Sequence, residues 1–173
     1  MGFPNEQGAP QTRAIGVLFL YPSHLKGEFT TNWMKSFTQN GRNLRSPLLL
    51  ATGENWEDFS SEIWQSWLAE AQSSLAILTE SCEFIFIVGL ASAAAIALRL
   101  GQSNAGDIDG LVLVEPSLPK DSRGLRKIWK TLSEELYFID QPLFLFYPAN
   151  KSEPSHDAAQ IISESVSSPL TRK

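Results

Sequence analysis

Cysteine and histidine are scarce in this chain: one Cys and two His occur among 173 residues. A lone thiol, Cys82, excludes an internal disulfide, and one Cys with two His is too few to assemble a metal cluster. Cys82 therefore reads as a small apolar filler, and no cofactor or metal is expected. Positive charge is also short. Fourteen Lys and Arg stand against nineteen Asp and Glu, giving a formal net charge of −5. The cations are scattered, so nothing faces a phosphate backbone and nucleic acid is not expected as a partner. No apolar run approaches the ~20 residues of a membrane helix, and MGFPNEQGAPQTR lacks a basic start followed by an apolar stretch. The expectation is no membrane span and a cytoplasmic location. Internal repeats are absent, and compositional bias is confined to the Pro/Gly/Gln-rich first dozen residues.

What the chain has is enough apolar bulk for one core. Hydrophobic residues make up 43% and charged residues 19%, with five Trp and ten Phe to fill an interior. The length suits a single domain, expected over 14–168 between a flexible segment 1–13 and a flexible tail 169–173. Five short apolar runs read as strands: AIGVLFLY (14–21), SPLLLA (46–51), EFIFIVGL (83–90), DGLVLVEP (109–116) and PLFLFYP (142–148). Near-continuous apolar runs predict a sheet buried on both faces.

Helical patterns fill the gaps. TTNWMKSFTQNG (30–41) opens on threonines able to cap and sets Trp33 and Phe37 on one face. In 55–80, Trp64, Trp67, Leu68, Ala71, Leu75 and Leu78 recur at steps of three and four, a stripe that reads as packing rather than a ligand box. The small-sided segment 91–101, then 122–136 and 155–166, complete the alternation. The predicted fold class is α/β, a doubly wound, mostly parallel five-stranded sheet with helices on both faces. In such folds sites lie beyond the carboxyl ends of the strands, so the loops after Leu20, Val88, Val114 and Phe146 are where to look.

FIFIVGLASAAAIALRLG (84–101) has the outline of a strand, a tight turn and a helix. VGLASAAAIALRLG resembles the nucleophile elbow of α/β-hydrolases, in particular the carboxylesterase and monoacylglycerol-lipase group, whose pattern runs roughly GLSMGGxxALxLA. Gly89 and Leu90 match, the nucleophile position falls on Ala91, the next on Ser92, and the two glycines become Ala93 and Ala94. The resemblance implies an elbow whose shape is kept and whose hydroxyl is gone. GVLFLYPSHLKG is similar to the first core strand and its loop, with Tyr21 and Pro22 where a His-Gly pair usually shapes the oxyanion hole. Proline has no N–H to offer there. PLFLFYPANKSEPSHDAAQII resembles the acid-bearing segment, with Lys151 near the expected Asp. On this resemblance the chain is a minimal α/β-hydrolase-like core lacking a full lid, the last strand and the catalytic His.

An active site displaced by one residue is the competing reading. Ser92 would be the nucleophile, His156, in the loop after the last strand, the base, and Glu115 the acid. The structural alternative has Ser92 hydrogen-bonded in the first turn of its helix, His156 exposed near a helix start and Glu115 a solvated strand end. His24 reads as a loop histidine. Three functions follow: a non-catalytic domain binding an apolar small molecule or a protein partner in a cleft lined by Tyr21, Ala91, Ser92 and Glu115; an esterase, lipase or thioesterase acting through Ser92; or a structural subunit docking through a sheet edge.

Overall fold

The computed structural model describes residues 14–50 and 55–167. The segment 1–13 and the tail 169–173, expected to be flexible, lie outside the described residues. In chain order the elements are β1 (Ile15–Leu20), α1 (Glu28–Gln39), β2 (Asn43–Arg45), α2 (Ser61–Ser81), β3 (Phe84–Leu90), α3 (Ala93–Ser103), β4 (Gly110–Val114), α4 (Arg126–Glu134), β5 (Leu143–Phe146) and α5 (Pro154–Ser167). The strands form one sheet in the order β2-β1-β3-β4-β5, and every pairing is parallel. The chain winds outward from β1 to β2 and returns to β3 on the other side. The winding therefore reverses between β1 and β3.

Four of the five apolar runs form strands close to where they were expected, and the second does not. The strand is Asn43–Arg45, and SPLLLA leaves the sheet, holding on by one isolated parallel bridge between Pro22 and Leu49. Leu49 is fully buried, Leu48 and Leu50 are exposed, and Ala51 lies outside the described residues. Two causes combine. An edge strand pairs on one side only and does not need a continuous apolar run, and Pro47 has no N–H for a ladder.

Helix starts follow local chemistry. Thr30 does cap α1, from its third position: its hydroxyl accepts the Gly27 N–H at 3.0 Å. The helix runs out at Gly41, whose φ of +71° is open to glycine at little cost. The expected helix from residue 55 begins instead at Ser61, because Trp56–Asp58 form a 3-10 turn and the Ser60 hydroxyl caps α2 by accepting the Ile63 N–H at 3.3 Å.

The two sheet faces are covered unequally. On the first, Leu18, Ile87, Leu111 and Leu113 are sealed under α2 and α3, joined by Leu132 of α4 and by Ala158 and Ile162 of α5. On the second, α1 lays Trp33 and Phe37 on Phe19, with ring centroids 5.8 and 5.9 Å apart. One row of paired residues shows where that cover ends: Phe19 and Val88 are buried, Val112 is half-buried, and Phe144 is 55% exposed. Helices do lie on both faces, as expected, yet PLFLFYP is covered on one face only, where Leu143 and Leu145 are half-buried. No helix among the described residues is long and apolar enough to cross a membrane.

Candidate functional site at the strand ends

The turn after β3 is built by close approach. Gly89, next to last in the strand, lies where a Cβ would come within 2.9 Å of Ala94 Cα and Ala97 Cβ. Glycine there and alanines on α3 let the helix sit directly against the sheet. The chain then turns through Ala91 at φ +48°, a left-handed conformation that costs an L-residue about 1–2 kcal/mol. Three hydrogen bonds hold it: the Ala91 N–H donates to Val114 O at 3.0 Å, and its carbonyl accepts from Ser117 N–H at 3.0 Å and Ala94 N–H at 3.1 Å. Glu115, which follows β4, is the other described non-glycine residue at positive φ, +46°, and donates its N–H to Phe146 O at 2.7 Å. Backbone strain is thus gathered at the carboxyl ends of two neighbouring strands, beside the point where the winding reverses.

The side chains at this turn carry little chemistry. Ala91 is partly exposed and ends at its methyl. Ser92 is 4% exposed, and its buried Oγ has no hydrogen-bond partner among the described residues. That arrangement differs from both readings of Ser92. It neither caps α3 nor reaches a base, and a buried hydroxyl without a partner costs about 1–3 kcal/mol. One residue past the turn, the backbone of Ser92 is already helical, φ −65° and ψ −25°, so its side chain follows the helix inward.

The remaining sequence candidates scatter. Tyr21 is buried, its ring 5.2 Å from that of Phe19 in the cluster with Val17, Val88 and Leu90. Glu115 is exposed. His156 is not in a loop: it occupies the first turn of α5, edge-on to Tyr147 at 5.4 Å. Position 156 lies within the segment 155–166 expected to be helical, so the loop assigned to it as a base does not exist, and Pro154, whose missing N–H costs nothing at a helix start, opens α5 just before it. Lys151 is exposed in the turn before α5, where the Asn150 side chain accepts from the Ser152 N–H and hydroxyl. His24 is exposed in a 3-10 turn after β1.

Sequence reasoning anticipated neither of two cavities, of which only the first adjoins the turn. One of about 340 Å³ opens beside the turn, lined by Asn55, Trp56, Ser117, Leu118, Pro154 and Ala158 among others. Trp56 Nε1 donates to Ser117 Oγ at 2.9 Å, and the Ser117 N–H is bonded to Ala91, so the cavity wall is fastened to the turn. A larger one of about 580 Å³ runs between α2 and α4, past Trp64, Leu68, Ile128 and Leu132. Arg99 borders it and is ion-paired with Glu135. The signal that could have pointed to the first cavity was the lone Trp56 ahead of the regular α2 stripe.

A parallel sheet in this order is a doubly wound α/β sheet, and a left-handed residue joining the central strand to a tightly packed helix is the arrangement of the α/β-hydrolase fold. No protein-family model matches the sequence, and no curated protein matches it. Solved structures do share the fold. One, of the metagenome-derived lipolytic enzymes LipS and LipT, is similar at a TM-score of 0.68 and 14% identity, covering 89% of this chain and 80% of that one. The thioesterase domain from the curacin biosynthetic pathway gives a TM-score of 0.58 at 11% identity over 90% of this chain and 81% of that one. A putative YdeN-like hydrolase from Pectobacterium atrosepticum gives 0.57 at 16% identity over 87% and 72%.

Proposed function

We propose that this chain is a non-catalytic α/β-hydrolase-fold domain that binds an apolar small molecule or a protein partner at the carboxyl ends of its strands. The observation that carries the reading is the turn at Ala91: the left-handed backbone of a nucleophile elbow is present, and the residue on it has no nucleophilic atom. The adjacent hydroxyl does not substitute for it. A serine attacks when a base within hydrogen-bond reach takes its proton, and Ser92 Oγ is buried with no partner among the described residues. The resemblance of PLFLFYPANKSEPSHDAAQII to the acid-bearing segment sets Lys151 near the acid position, and a cation cannot hold an imidazole in the required tautomer. The cavity beside the turn, at about 340 Å³, falls in the range of small-molecule sites, with Trp56 and Leu118 supplying apolar wall.

The test is hydrolysis of short- and medium-chain p-nitrophenyl esters by the wild type, Ser92→Ala and His156→Ala. Background rates in all three are expected. Turnover lost in both variants would establish an esterase working through Ser92, and turnover unaffected by either would place a hydrolytic site elsewhere; both outcomes refute the proposal. Binding is read separately. A fatty acid or monoacylglycerol that occupies the folded state raises its melting temperature by mass action.

A further inference from the structure

The observation with the widest reach is the free side of β5, which ends the sheet with no further described strand against it. Pro142 O accepts from Leu111 N–H and Phe146 O from Glu115 N–H. The even-numbered residues therefore turn their backbone groups toward β4, and Leu143 and Leu145 turn theirs outward. Edge strands are normally guarded by charge, proline, a bulge or shortness, and β5 is four residues long with Pro142 and Pro148 near its ends, so its guard is length and proline without charge. Residues 141–149, QPLFLFYPA, contain no charged side chain at all. On the uncovered second face, Phe144 is 55% and Phe146 56% exposed.

We propose that this edge is the site at which a second copy of the chain docks, β5 against β5 in antiparallel register about a two-fold axis at Phe144. The outward groups dictate the register. Leu143 of one copy and Leu145 of the other exchange both N–H···O bonds, and the same pair recurs on the far side of the axis. Phe144 then faces itself in the close, non-hydrogen-bonded position, with Cα atoms about 4.5 Å apart. Such an interface is isologous and closes on itself, joining two five-stranded sheets into one.

Neutrality of the patch favours a copy of itself over a charged partner, because self-pairing places no like charges opposite one another. Area sets the strength. Half-exposed aromatic rings leave roughly 100 Å² open apiece, so the two per copy offer about 400 Å² of apolar surface to the pair. With the backbone edge added, this stays at or below the low end of the ~1,200–2,000 Å² of stable complexes, so the dimer is weak and concentration-dependent. The surface is distinct from the turn at Ala91, and the proposal stands whether or not esters are hydrolysed.

The test is sedimentation equilibrium of the full chain over about 5–500 μM, a span suited to a weak interface. A monomer–dimer equilibrium is expected, weakened about tenfold or more in Phe144→Lys, where two like charges would meet at the axis. Phe29→Lys, an equally exposed aromatic on α1, leaves it unchanged. In a Cys82→Ser background, Phe144→Cys cross-links to itself under mild oxidation and Phe146→Cys does not, since its partner copy lies well beyond disulfide reach. A monomer at every concentration, a dimer indifferent to Phe144→Lys, or cross-linking through Phe146 in place of Phe144 would each overturn the proposal.

Discussion

The two faces of this sheet were made from the same kind of strand and ended differently. Under α2 and α3 the first face is closed: Ala93 to Leu98 are all fully buried, and glycine at position 89 brings helix and strand into direct contact. Among the described residues the second face carries one helix, and its cover fades from Phe19 to Phe144 along a single row. Apolar sequence in a strand reports that the strand is in a sheet. It does not report how many helices arrive to cover it, which depends on where the crossovers land.

The comparison makes measurable demands. The largest effect is expected on the closed face, where Gly89→Ala forces a Cβ to within 2.9 Å of α3 and costs about 2–3 kcal/mol in urea unfolding. An unchanged midpoint would mean that α3 has room to retreat and that the face is less tightly sealed than described. Ser60→Ala removes the cap of α2 on the same face and lowers stability by about 1 kcal/mol. At the junction of the two faces the sign reverses. Ala91→Gly relieves a left-handed backbone worth about 1–2 kcal/mol and adds about 0.5–1 kcal/mol of unfolded-state entropy, so a gain of about 0.5–1 kcal/mol is expected. A loss there would show that the Ala91 methyl contributes packing.

On the open face the effect nearly vanishes. Phe144→Lys shifts the stability of the dilute monomer by no more than about 0.5 kcal/mol, because the ring is already more than half in water. The smallest effect is one of pH. The Glu62 carboxyl, in the first turn of α2, is held below its ordinary range by the Ser60 hydroxyl first, then by its own N–H and the Ser61 hydroxyl. A lowered carboxyl stabilises the fold above its ordinary range and loses that contribution as pH falls through the lowered value. The difference between wild type and Glu62→Gln should therefore close in acid and be level from mild acid to neutral. A gap that widened toward low pH would contradict the capping geometry.

Much of the fold was legible because burial is written in periodicity. Trp64, Trp67, Ala71, Leu75 and Leu78 are buried as their spacing required, and the runs at Ile15, Phe84, Gly110 and Leu143 became strands because each bounds an apolar stretch with turn residues. The turn at Ala91 was legible from its small neighbours, since only glycine and alanine permit that approach. SPLLLA misled because an apolar run specifies burial without specifying pairing, and Pro47 vetoed the ladder. Ser92 and His156 were placed by chain position. One residue along a helix rotates a side chain by about 100°, and the helical pattern over 155–166 already enclosed the histidine read as a loop base.

The sequence alone therefore determined the elements, their alternation and the absence of a nucleophilic atom at residue 91, all of which depend on local pattern and residue identity. Only the tertiary structure decided that the Ser92 hydroxyl is enclosed, that Trp56 and Ser117 join into a cavity wall, and that no described strand pairs with the outer side of β5. Those facts rest on contacts between residues tens of positions apart, and no local pattern encodes which surfaces such contacts leave uncovered.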